Sequence, residues 1–250
     1  MKVYAVINQK GGVGKSTTAL ALGASLSNKG NRVLLVDLDA QGNLSYTVEA
    51  DTTQHNALRV LQRPETAAAE IQHTAQGDII ASSPALAGAD TILTEVGKEY
   101  KLKEALESVS SSYDYCIIDT PPALSILTVN ALVACSGVII PAQADIYSLQ
   151  GISQLNNTIQ TVKKYCNPEL QILGIVLTRY SSRAIISREV AEMIEATAGQ
   201  LNTKLFSTKI RECTALKEAQ AMRQSIFDYA PKSNAASDYS ALIEEIIKGV

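Results

Sequence analysis

Gln9-Lys10-Gly11-Gly12-Val13-Gly14-Lys15-Ser16-Thr17 follows a short apolar run at residues 3–7 and opens a segment of helical period at 16–29. A strand, a glycine-rich turn and then a helix is the arrangement in which a chain wraps phosphate. The glycines let the backbone come close to phosphate oxygens and aim its N–H groups inward, while the positive end of the helix faces the same anion. Lys15 is placed to pair with the β- and γ-phosphates and the Ser16 hydroxyl to ligate Mg²⁺, with Gly11, Gly12, Val13, Gly14 and Thr17 completing the cradle. The strict G-x-x-x-x-G-K-[ST] spacing fails only at its first position, where Gln9 replaces glycine. A glycine-rich turn with a chance lysine is the plain alternative, and the agreement of strand, loop and helix weighs against it.

Outward from this loop, short apolar runs alternate with segments of helical period. Strands are expected at residues 3–7, 32–36, 78–80, 115–118, 137–140 and 172–177. Helices are expected at 16–29, 98–109, 124–134, 149–165 and 185–198, with 242–247 inside a terminal helix. Gly30 stands just past the first helix as a C-terminal stop, and Pro168 ends the fourth. The pattern predicts a doubly wound α/β fold, a mostly parallel sheet with helices on both faces. No linker or repeat divides the chain, so residues 1–250 read as one domain.

Composition agrees. The 250 residues are 46% hydrophobic and 19% charged, with 22 Lys+Arg against 25 Asp+Glu and a net charge of -3. That excludes a disordered chain, a collagen-like repeat and a disulfide-rich scaffold. Cys116, Cys135, Cys166 and Cys213 show no metal-site spacing and read as small buried hydrophobes in a reducing compartment. No run approaches the ~20 apolar residues that span a bilayer, and the first run is too short for a secretory signal, so a cytoplasmic location is expected.

Acidic residues close the strands that must gather on the loop's edge of the sheet. Asp37 and Asp39 end the second strand in Val36-Asp37-Leu38-Asp39-Ala40-Gln41-Gly42-Asn43, and Asp119 ends the strand that leads into Thr120-Pro121-Pro122. In a parallel sheet these ends converge where ligands bind. For Asp37, capping or turn formation at a strand end is a second reading.

Lys10, at the start of the loop, makes the sequence resemble the deviant Walker A ATPases, K-G-G-x-G-K-[ST]. The fragments Leu86-Ala87-Gly88-Ala89-Asp90, Tyr113-Asp114-Tyr115, Asn130-Ala131-Leu132, Pro141-Ala142-Gln143-Ala144-Asp145 and Tyr229-Ala230-Pro231-Lys232-Ser233 extend the resemblance over nearly the whole chain, towards the ParA/Soj partition ATPases. The resemblance implies slow Mg²⁺-dependent ATP hydrolysis. In it Lys10 reaches the nucleotide of a partner subunit in trans, Asp119 is the Walker B carboxylate, Asp37 supports the metal shell and Asp39 orients the attacking water. Residues 41–43 and 120–122 would sense the γ-phosphate. Thr178, Ile210 and Arg211 are the candidates for the base pocket. The chain departs from the family pattern at Ala40 (usually Pro), at Asp145 (often Glu) and at Ile210-Arg211, which lacks an intervening Pro.

The resemblance also implies an ATP-dependent homodimer, non-specific binding to double-stranded DNA, a ParB-like centromere-binding partner and nucleoid association in the ATP state. Charge distribution is compatible with this. Residues 1–150 carry a net -5 and 151–250 a net +2, and within 179–223 eight cations face five acids. Arg183, Arg211, Lys209 and Arg188 are the DNA candidates, against the plain reading of a mixed-charge solvated face. With the first strand at residue 3, no helix-turn-helix for operator binding is expected ahead of the loop. A MinD-like membrane ATPase would need a basic amphipathic C-terminal helix, which Glu244-Glu245 opposes. An iron–sulfur reductase would need cysteines beside the sensing loops, and a tyrosine kinase a tyrosine-rich tail.

Overall fold

The computed structural model describes residues 1–249; Val250, the last residue of the expected domain, lies outside the described residues. Seven strands form one sheet: β1 (Lys2–Val6), β2 (Val33–Asp37), β3 (Gln72–Thr74), β4 (Gly77–Ile80), β5 (Tyr115–Asp119), β6 (Gly137–Ala142) and β7 (Gln171–Leu177), in the order β3-β4-β2-β5-β1-β6-β7. All pairings are parallel except the β3/β4 hairpin. The six expected strands are present within one or two residues at each end. β3 was not expected, because its three polar residues Gln72, His73 and Thr74 carry no apolar alternation.

The buried apolar side chains of the central strands alternate between two cores. Along β1 and just past it, Val3, Ala5 and Ile7 pack into one face, and Tyr4 and Val6 into the other. The first face receives Leu102 and Leu106 of helix Lys101–Ser108, Leu127 and Leu132 of Ile126–Ala134, Ile152 and Leu155 of Ile146–Tyr165, and Ile194 of Ile185–Gln200. The second receives Leu20, Leu22 and Leu26 of helix α1 (Lys15–Asn28) and Leu242, Ile243 and Ile246 of Asn234–Lys248. The apolar side of this last helix is thus inside the core, which removes it as the membrane anchor a MinD-like reading would need. Among the described residues no helix is long and apolar enough to cross a membrane.

The helix expected at 98–109 begins with a 3-10 turn, Lys98–Tyr100, and the one expected at 149–165 starts earlier, at Ile146, where the Asp145 side chain accepts a hydrogen bond from Ser148 N–H. Gly30 has φ +85°, the left-handed stop that its position implies. Cys116 and Cys135 are buried as expected, but Cys166 and Cys213 are only half-buried.

The chain leaves β1 to build β2 beyond β5, then returns to place β6 on β1's other side. This reversal sets the crevice at the C-terminal strand ends. There Asp119 is in register with both Val6 and Asp37, so the two carboxylates point from the same side of adjacent strands.

Candidate functional site

The loop after β1 is fixed by side chains from the neighbouring strand ends. Asn8 Nδ2 donates to the Pro141 carbonyl at 2.7 Å, while Asn8 Oδ1 accepts from Lys10 N–H at 2.9 Å. Gln143 Nε2 donates to the Gly12 carbonyl at 3.2 Å, and the buried Thr178 hydroxyl donates to the Val13 carbonyl at 2.8 Å. Gly12 and Gly14 have φ of +74° and +86°, which a side chain adopts only with strain. Gly14 is also the residue from which α1 starts, so the loop runs straight into the helix N–H groups.

Lys15 is buried, with Nζ donating to the Lys10 carbonyl at 3.2 Å. Burial lowers its pKa, against the opposing pull of Asp119 and Asp39. Asp119 is fully buried, and neither carboxylate oxygen has a hydrogen-bond partner among the described residues. Burial first and Asp37 second push it far above the usual carboxylate range, while the Ser16 hydroxyl and Lys15 work the other way. An unpartnered buried carboxylate costs several kcal/mol unless a cation completes it. Asp119 with Ser16 therefore fits Mg²⁺, a hard ion that takes oxygen ligands.

Asp37 is different. Its Oδ1 accepts from Asp39 N–H at 3.1 Å, and its Oδ2 accepts from both the N–H and the hydroxyl of Ser45, at 2.9 and 2.7 Å. Burial still raises its pKa. These bonds let Asp37 anchor the short helix Asn43–Thr47, as the turn-and-cap reading expects. Asp39 follows in the turn, its Oδ1 accepting from Gln41 N–H at 3.1 Å.

Beside these groups lies a cleft of about 490 Å³ lined by Gly11, Gly12, Gly14, Lys15, Ser16, Thr17 and Asp39, with Gln41, Asn43 and Pro122 from the two expected sensing segments; Asp37 and Asp119 lie behind its wall. Tyr46, Thr47 and Gln220 also line it and were not foreseen. A smaller adjoining cavity of about 150 Å³ shares Gly12, Gly14, Thr17 and Gln220 and brings together Thr178, Ile210 and Arg211. Gln220 Nε2 donates to the Thr17 hydroxyl at 2.7 Å on the wall common to both.

Lys10 forms an ion pair with Asp145 of its own chain, both side chains 31% exposed. Asp145 stood out in the sequence only as a departure from a pattern. Its partner lies 135 positions away, and only the sheet order brings the two together.

The DNA candidates separate. Arg183 and Arg188 are exposed, at and just ahead of the start of helix Ile185–Gln200, with no ion pair among the described residues. Lys209 lies half-buried over the Tyr180 ring at 4.6 Å. Arg211 is held by the nearly buried Asp238, with Nη2 2.6 Å from Oδ1 and Nε 2.9 Å from Oδ2. Arg211 is less freely available as a phosphate contact than Arg183 or Arg188, because the two-toothed pair engages its Nε and Nη2.

A family model described as AAA domain matches residues 1–172. The chain is 38% identical over 250 residues to the sporulation initiation inhibitor protein Soj of Bacillus subtilis, covering 98% of each, and 36% identical over 252 residues to the chromosome partitioning protein ParA of Myxococcus xanthus, covering 99% of this chain and 88% of that one. It is also similar to a crystal structure titled cobyrinic acid a,c-diamide synthase from Mycobacterium smegmatis, with bound ATP analog and magnesium. That similarity has a TM-score of 0.86 at 33% identity and covers 99% of this chain and 95% of that one.

Proposed function

The chain belongs to the ParA/Soj family of AAA-domain ATPases, and from that premise we propose that it is a partition ATPase, acting as one domain over residues 1–250. ATP binds with Mg²⁺ in the cleft at residues 11–17, the ATP state dimerises and holds duplex DNA without sequence preference, and hydrolysis releases it. The observation that carries the reading is Asp119, a fully buried carboxylate with two unpartnered oxygens set behind Lys15 and Ser16.

In this reading the N–H groups of residues 11–17 and the Lys15 ammonium would hold the phosphates, and Ser16 and Asp119 would hold the metal. Magnesium, when bound, neutralises charge on the phosphate oxygens. Asp39 orients the attacking water from the cleft wall. Thr178 straps the loop through Val13 and is among the residues lining the base cavity. Lys10 acts on the partner subunit's nucleotide, where charge develops on the transferring phosphoryl group. Because it is paired with Asp145 in its own chain, dimerisation has to draw it out of that pair.

For DNA, Arg183 and Arg188 are the candidates without an ion pair among the described residues, and a two-fold dimer would present each twice. Lys209 joins them if it leaves Tyr180. Partition further calls for a ParB-like partner that accelerates hydrolysis, and for nucleoid association in the ATP state. The test is binding to unrelated duplex DNA with ATP, ADP or no nucleotide at two salt concentrations. Binding confined to ATP and weakened by salt is expected; equal binding in all three states, or none with ATP, would contradict the reading.

A further inference from the structure

Two short helices line the cleft, the one with Tyr46 and Thr47 and the other with Gln220 and Ala221, and just past the end of each stands a left-handed residue that is not glycine. Helix Asn43–Thr47 is followed by Glu49 at φ +60°, and helix Thr214–Ala221 by Arg223 at φ +54°. The left-handed position past a helix end is normally glycine's, because a Cβ strains it. Here the two strained positions carry opposite charges and meet: Arg223 Nη1 lies 3.2 Å from Glu49 Oε1, and the guanidinium sits over the Tyr46 ring at 4.5 Å. Each of the two positions keeps a backbone conformation that costs a residue with a Cβ on the order of 1 kcal/mol.

Each side of this contact is tied to a different part of the nucleotide cleft. Behind Tyr46 and Glu49, Ser45 is bound to Asp37, and the turn ahead of the helix carries Asp39. Behind Arg223, Gln220 is bound to Thr17, and the same helix lines both cavities. The bridge therefore joins the wall that holds Asp39 to the wall between the phosphate cleft and the base cavity.

We propose that Arg223, Glu49 and Tyr46 form a latch across the cleft mouth that sets how fast a bound adenine nucleotide leaves, with Arg223 as its positioning residue. This rests on the nucleotide reading above. Nucleotide exit requires the two helices to part, and parting breaks both the ion pair and the cation–π contact.

The test is stopped-flow dissociation of N-methylanthraniloyl-ADP, chased with excess ADP, from wild type, Arg223→Gly, Tyr46→Ala, the double variant and Tyr46→Phe. Arg223→Gly removes the latch and relieves the left-handed strain at once, so a faster rate is not the mark of a misfolded chain. Each of Arg223→Gly and Tyr46→Ala raises the dissociation rate about 3-fold, the effect of removing one exposed cation–π interaction. The double variant is no faster than the faster single, and Tyr46→Phe, which keeps the ring, matches wild type. An unchanged rate in Arg223→Gly, or rates that multiply in the double variant, would overturn the latch alone. Failure of wild type to bind the labelled ADP would overturn the nucleotide reading, and the latch with it.

Discussion

At the C-terminal edge of the sheet, charged groups are buried and most have a hydrogen-bond partner: Lys15 the Lys10 carbonyl, Asp37 Ser45 and the next turn. Asp119 is the exception, its oxygens having no partner among the described residues. The basic segment at residues 179–223 is exposed, and most of its cations are already bound to something. Arg179 pairs with Glu212, Arg211 with Asp238 and Arg223 with Glu49, while Lys204 and Lys209 lie over Phe206 and Tyr180. A buried carboxylate left unanswered calls for a cation, because burial penalises an isolated charge by several kcal/mol. A surplus of surface cations implies much less, because neighbouring acids pair with it at little gain or loss of free energy.

The largest effect that could break this contrast is at Lys15. On the proposed reading the Lys15 ammonium holds the phosphates, so Lys15→Ala should lower turnover by at least about 100-fold, read by phosphate release. If activity survives, the buried edge is not the chemical site.

The basic segment gives a smaller and more discriminating effect. Removing Arg183 and Arg188 should lower the steepness of the salt dependence of DNA affinity by about 0.9 for each phosphate that is no longer neutralised, with the fold unchanged. Arg211→Ala should do something else. It strands Asp238, so the melting temperature drops by a few degrees, and DNA affinity at a temperature where the variant is folded changes less than in Arg183→Ala. The opposite ranking would return Arg211 to the DNA face.

The smallest effect is at the other end of the sheet. Arg32 holds Asp114 down to about 2 through side-chain and backbone hydrogen bonds. Because the folded value lies below the ordinary one of 3.8, the contribution is full at neutral pH and is lost as pH falls from near 4 towards 2. Arg32→Ala should flatten that part of the acid-unfolding curve slightly, and less so at high salt, both side chains being exposed.

What the sequence made legible was local. The glycine loop, the strand ends at Asp37 and Asp119 and the alternation of strand and helix are contiguous signals, and a parallel sheet converts them into one edge. Pairings between distant segments were not legible: Lys10 with Asp145, Gln220 with Thr17 and Arg211 with Asp238 depend on strand order and on how the last helix packs against α1. The left-handed backbone at Glu49 and Arg223 has no signal either, since neither residue type announces it.

Retention of labelled duplex DNA in the presence of ATP, compared between Asp39→Ala and Lys15→Ala, tests most directly whether the buried edge governs the basic face. Asp39→Ala should hold DNA in ATP while losing turnover, because the ATP state forms and cannot decay, whereas Lys15→Ala should hold none. Equal retention by the two variants, or full turnover in Asp39→Ala, would contradict it.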